Sequence, residues 1–151
     1  GRLPPAELAP ILARHFEEAA DHRRALRYYT LAGDAALAGY ANAEAIAAFT
    51  SALAAAERAA TTGILPVDVW QHLFEARGRA FELSSRYPEA LANYQAMAQR
   101  AAALGDRRLA LAATVACGQL YATANTLLDH VDEFLTLDGL RMLWNECRFG
   151  P

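Results

Sequence analysis

Six ionisable residues, Asp68, His72, Glu75, Arg79, Glu82 and Arg86, recur at steps of three and four. That spacing sets them on one stripe of a helix. Carboxylate, imidazole and guanidinium groups in one row could grip a charged partner. They could equally form a solvated edge with Glu75–Arg79 and Glu82–Arg86 pairs, each adding about 0.3–0.5 kcal/mol. The flanks of the stripe are apolar on both sides, with Trp70, Phe74 and Phe81 on one and Leu73, Ala76, Ala80 and Leu83 on the other. A helix with neighbours on two sides and one narrow wet edge belongs in an array of helices.

The other reactive side chains do not assemble into a reaction centre. A zinc site needs three or four converging ligands. His15 and His22 share a face only loosely, and the run Asp129-His130-Val131-Asp132-Glu133 fits a polar loop with an acidic helix start. Cys117 lies inside an apolar stretch, where a thiol is usually inert. Ser51, Ser84 and Ser85 lack the glycines of a nucleophile elbow, and there is no Gly-x4-Gly-Lys-Ser/Thr phosphate loop. No enzyme, metal or cofactor is expected.

The composition agrees. The 151 residues are 54% hydrophobic and 21% charged, enough for one domain with a real core. Much of the apolar share is alanine, the best helix former. The net charge is -3, and the basic residues cluster no further than the doublets Arg23-Arg24 and Arg107-Arg108. A nucleic-acid footprint needs a basic face, so none is expected. No apolar run nears the roughly 20 residues that cross a bilayer, and no signal peptide opens the chain. Two cysteines are too few for a disulfide framework, so a reducing cytoplasm is the expected setting. The abrupt ends read as those of a piece of a larger protein.

Helical spacing runs throughout and period-two alternation is absent. Seven helices are expected, at about 5–20, 21–40, 42–60, 67–86, 88–104, 107–122 and from 131 onward. The first should bury Leu8, Ile11, Leu12, Phe16 and Ala19, and the third should start at an Asn42 cap. The sixth is apolar all round, so it should be covered on several sides, and a polar loop should follow at 122–130. Three segments share a small residue and an aromatic one turn apart: Ala25 and Tyr29, Ala45 and Phe49, Ala90 and Tyr94. Upstream, Ala13 with Phe16 and Gly78 with Phe81 set a small residue beside a ring. The pattern reads as antiparallel helices locked by small-into-large packing.

These residues resemble the tetratricopeptide repeat, a helix pair of about 34 residues marked by an aromatic, Leu-Gly, Tyr, then Ala, Phe and Pro. Arg77 stands where leucine is usual and Ala102 where proline is usual, and the second copy follows the first by only 20 residues. The resemblance covers about 6–103. It implies an all-α, right-handed superhelical stack of about seven antiparallel helices, with first repeats at 6–60, a second block at 67–122 and a C-terminal segment at 123–151. The family's concave groove would fall on Glu7, Arg14 and Glu17 in the first helix and on His72, Glu75, Arg79 and Glu82 in the fourth. The stretch 8–57 is also similar to the helical repeats of large bacterial signal-transduction ATPases of the STAND type, some of them transcription regulators. These likenesses imply a non-catalytic module that holds another protein or another domain of its own parent chain. The alternative is a small-molecule sensor with a pocket between helices four and six. Trp144, Phe149 and the nearby leucines either fold back or form a homodimer seam.

Overall fold

The computed structural model describes residues 5–128 and Arg141. Six helices are present among them, with no strand: α1 (Pro5–Glu18), α2 (His22–Ala38), α3 (Asn42–Ala60), α4 (Val67–Leu83), α5 (Tyr87–Leu104) and α6 (Arg107–Leu128). Of the expected seventh helix only Arg141 is described, and the Asp129–Glu133 run lies outside the described residues. α2 passes through Gly33 unbroken. α6 runs on to Leu128, so the loop expected at 122–130 is helical as far as it is described. The Ala-Thr-Ala-Asn-Thr-Leu-Leu stretch contains no glycine or proline to stop it.

The tight turns have one design. Ala20, Tyr40, Ser85 and Gly105 all adopt left-handed backbone, with φ of 57°, 60°, 57° and 64°. At each, the next residue reaches back five positions: Asp21 N–H to Phe16 C=O, Ala41 to Ala36, Arg86 to Phe81 and Asp106 to Ala101, at 2.8–3.0 Å. Each left-handed residue also bonds three back, for example Ser85 N–H to Glu82 C=O at 2.9 Å. This is the Schellman closure, which satisfies the last carbonyls of a helix. The residue that closes one helix then opens the next. Asp21 accepts from Arg24 N–H at 3.1 Å and Asp106 from Leu109 N–H at 2.8 Å, as N-caps do. The cap of α3 is Ala41, without a side-chain bond, and the Asn42 expected there is the first helical residue.

The turns repeat with a period of 65 positions, 20 with 85 and 40 with 105. α1, α2 and α3 therefore correspond in sequence to α4, α5 and α6. The second small–aromatic copy follows the first by 20 positions because α3 follows α2 after one tight turn.

The chain divides into two compact units at Ala80 and Phe81. In the first, α1 packs on α2 and α2 on α3. The buried face of α1 is centred on Ala9 and Ala13, while Ile11 is 63% exposed and Ala19 is exposed. The expected stripe was thus rotated. The line of closest approach takes the smallest side chains, because only they let two backbones come near. Deeper in, Phe49 of α3 is fully buried, and its ring lies where Gly33 has no side chain. A Cβ on Gly33 would fall 2.6 Å from Phe49 Cε1. Large-into-small packing is therefore the joint between α2 and α3.

In the second unit α5 packs on α6. Ala90, Leu91, Tyr94 and Met97 are buried on α5, and Leu109, Ala113, Cys117 and Leu120 on α6. Leu111 and Val115 are 64% and 49% exposed. The expectation that α6 is covered on several sides is corrected to burial along one face. Its exposed large apolar residues are Leu111, Val115 and Leu127.

Candidate functional site

α4 carries the polar edge the spacing predicts. Asp68, His72, Glu75 and Arg79 are exposed, while Trp70, Leu73, Phe74, Ala76, Ala80 and Phe81 are buried. Leu83 is exposed at the helix end. Both expected ion pairs are replaced. Glu75 accepts from Gln71 Nε2 at 3.1 Å rather than facing Arg79. Glu82 accepts from the Tyr94 hydroxyl at 2.8 Å, and Arg86 pairs with Glu89 at 3.5 Å. The cause is the end of α4 at Leu83, after which Arg86 caps α5 instead of extending the stripe. Its guanidinium lies 5.0 Å from the centre of the Phe81 ring.

His72 is held from α2 and α3. Its Nε2 is 2.8 Å from Asp34 Oδ1, and its ring meets Phe49 edge-on at 6.2 Å. A carboxylate only accepts, so Nε2 carries the hydrogen and Asp34 orients the imidazole. Nothing in the local sequence marks Asp34 as that partner, 38 positions away.

On α1, Glu7 and Arg14 are exposed. Glu17 accepts from the Tyr29 hydroxyl at 2.6 Å and faces Arg58 Nη1 at 3.7 Å. Burial, with the hydrogen bond to Glu17 and its negative charge, pushes the Tyr29 hydroxyl up from 10.0 to about 12. Glu17–Tyr29 and Glu82–Tyr94 are one device used twice, each spanning 12 positions. Of the seven candidate groove residues, Glu7, Arg14 and Arg79 make no hydrogen bond or ion pair among the described residues.

Arg77 donates to Thr50 Oγ1 at 3.3 Å and lies 5.9 Å from the Phe74 ring centre. Burial lowers its pKa.

A cavity of about 420 Å3 opens between α2 and α4. Buried Leu26 and Leu73, with Val69, form its apolar floor, and exposed Arg23, Arg27, Asp68 and His72 form its rim. Thr30 also lines it, with its hydroxyl donated to the Leu26 carbonyl at 2.7 Å. Sequence reading missed the α2 wall. The signal was there in the apolar Leu26 between two arginines one turn apart, but the closeness of α2 to α4 is a tertiary fact.

No group of three or more His, Cys, Asp or Glu side chains able to hold a metal occurs among the described residues. Cys117 is disulfide-bonded and offers no free thiol. This differs from the expectation of unpaired thiols in a reducing compartment. The sequence's other cysteine, Cys147, lies outside the described residues. No described helix is long and apolar enough to cross a membrane. Set against family models, curated proteins and solved structures, the chain matches none of them.

Proposed function

We propose that the chain is a non-catalytic protein-interaction and scaffold module, built of tetratricopeptide-like helix pairs in a right-handed superhelical stack. Its setting is a bacterial signalling or transcription-regulatory protein, and its partner is another protein or another domain of the parent chain. The observation that carries this reading is α4, buried on both flanks and exposed along one row of charge at Asp68, His72, Glu75 and Arg79. Such an edge offers charge for recognition while the buried flanks keep the helix from shifting. Residues that clamp the fold, Glu17 and Glu82, are less suited to a partner than Arg79, whose side chain makes no hydrogen bond or ion pair among the described residues.

The test is a quantitative pull-down with the wild-type chain and with Arg79→Glu. A protein held by the wild type and released by the reversal supports the reading. A protein held equally by both contradicts it, as does the absence of any protein partner.

A further inference from the structure

The α2–α4 cavity carries a second inference, which goes beyond the interaction reading and does not rest on it. We propose that this cavity binds a small monocarboxylic acid with an apolar body. The carboxylate is held by Arg23 and Arg27, and the apolar part lies on Leu26, Val69 and Leu73.

Three observations lead there. The first is size and lining. About 420 Å3 lies within the range of roughly 300–1,000 Å3 typical of small-molecule sites, which are mostly apolar with a few placed polar groups. Thr30, whose hydroxyl is bonded to its own helix, adds little polarity.

The second is unsatisfied charge. Arg23 and Arg27 stand one turn apart on α2 and both line the cavity. Like charges at this spacing repel on a helix. Arg24, between them, is paired with Asp21 at 3.5 Å and packs over Phe16 at 5.3 Å. Arg23 and Arg27 have no carboxylate partner among the described residues, although Asp68 lines the same cavity. An added carboxylate would relieve their repulsion and give each guanidinium a charge-assisted bond. Asp68 argues against a second negative group on the ligand and so sets the preference for a monoacid.

The third is positioning. Arg23 Nη2 occupies the space that a Cβ on Gly63 would enter, 2.6 Å from that point. The guanidinium therefore rests against the 61–66 loop, where a bare glycine admits it. At the other side, His72 is tied to Asp34 and Phe49, which fixes that part of the rim. A site whose polar groups are held in place loses less entropy on binding.

The experiment is a titration of the isotope-labelled chain with 3-phenylpropionate, followed through backbone amide shifts. Its uncharged amide, 3-phenylpropionamide, and acetate serve as controls. The expected result is saturable movement of the amides from Arg23 to Thr30 and from Asp68 to Leu73. Acetate and the amide should leave them in place. Arg27→Gln should weaken binding about tenfold, or about 1.4 kcal/mol, with an unchanged thermal midpoint because the side chain is exposed. Arg23→Gln should weaken binding to a similar extent. The proposal is overturned if these amides stay still at millimolar acid, if the amide binds as well as the acid, or if the doubly substituted Arg23→Gln, Arg27→Gln chain binds with wild-type affinity.

Discussion

The hydroxyl of Tyr29 donates to Glu17 across the α1–α2 turn at 2.6 Å, and 65 positions later Tyr94 donates to Glu82 across the α4–α5 turn at 2.8 Å. In each case the tyrosine follows a fully buried alanine, Ala25 or Ala90, by one helical turn. The small residue lets the helices close, and the ring then brings its oxygen to the carboxylate of the preceding helix. A hydrogen bond to a charged group contributes about 1.5–3 kcal/mol, less where solvent reaches it.

The Tyr29 bond has a pH signature. Its folded pKa is raised to about 12 from 10.0, so folding favours the protonated phenol. The resulting stability is fully present below pH 10 and is lost as pH rises through about 12. An ultraviolet phenolate titration of the native chain should show late tyrosine ionisation, and Tyr29→Phe should lower the amplitude of that late step by one residue. Denaturant midpoints should fall more gently between pH 10 and 12 in Tyr29→Phe than in the wild type.

Gly33→Ala tests the α2–α3 joint. The new methyl would meet the buried Phe49 ring at 2.6 Å and should destabilise by about 1–3 kcal/mol. Phe49→Leu is itself destabilising, but combined with Gly33→Ala it should lose less than the sum of the two, because the clash is gone. Urea denaturation of the double-mutant cycle measures the coupling.

Three of the four turn residues pay a conformational penalty. Ala20, Tyr40 and Ser85 hold left-handed backbone that glycine adopts freely, and only Gly105 matches residue to geometry. Gly39 stands one place too early, at φ -89°. Ser85→Gly and Tyr40→Gly should each raise stability by up to about 1 kcal/mol, read as a higher denaturant midpoint at constant slope.

Ala41 is a cap without a capping side chain, whereas Asp21 and Asp106 fill the equivalent role at their turns. Ala41→Asp should stabilise α3 by about 0.5–2 kcal/mol. The thermal midpoint would report it, and the gain should be additive with Ser85→Gly, which lies in the other unit.

The helices were legible because apolar period and alanine content are local properties. The small–aromatic pairs were legible for the same reason, and Ala25, Ala45, Ala90, Phe49 and Tyr94 are all buried. The turns at Ala20, Tyr40 and Ser85 carried no glycine at the decisive position, so their geometry was not. The burial of α1 was misjudged because hydrophobicity favours Ile11, whereas close approach favours Ala9 and Ala13. For the site, the exposed row on α4 could be read from spacing. Asp34 beneath His72, and the meeting of Arg23 and Arg27 with Val69 and Leu73, depend on how α2, α3 and α4 pack, which spacing within one helix does not encode.

The account depends most on a bulky ring filling the place where a neighbouring helix has no side chain. Nuclear Overhauser contacts of the Phe49 ring protons test it directly. The account predicts strong contacts from that ring to the Gly33 α-protons and to the His72 ring. A Phe49 ring that shows neither contact, or that exchanges magnetisation with water, would contradict it.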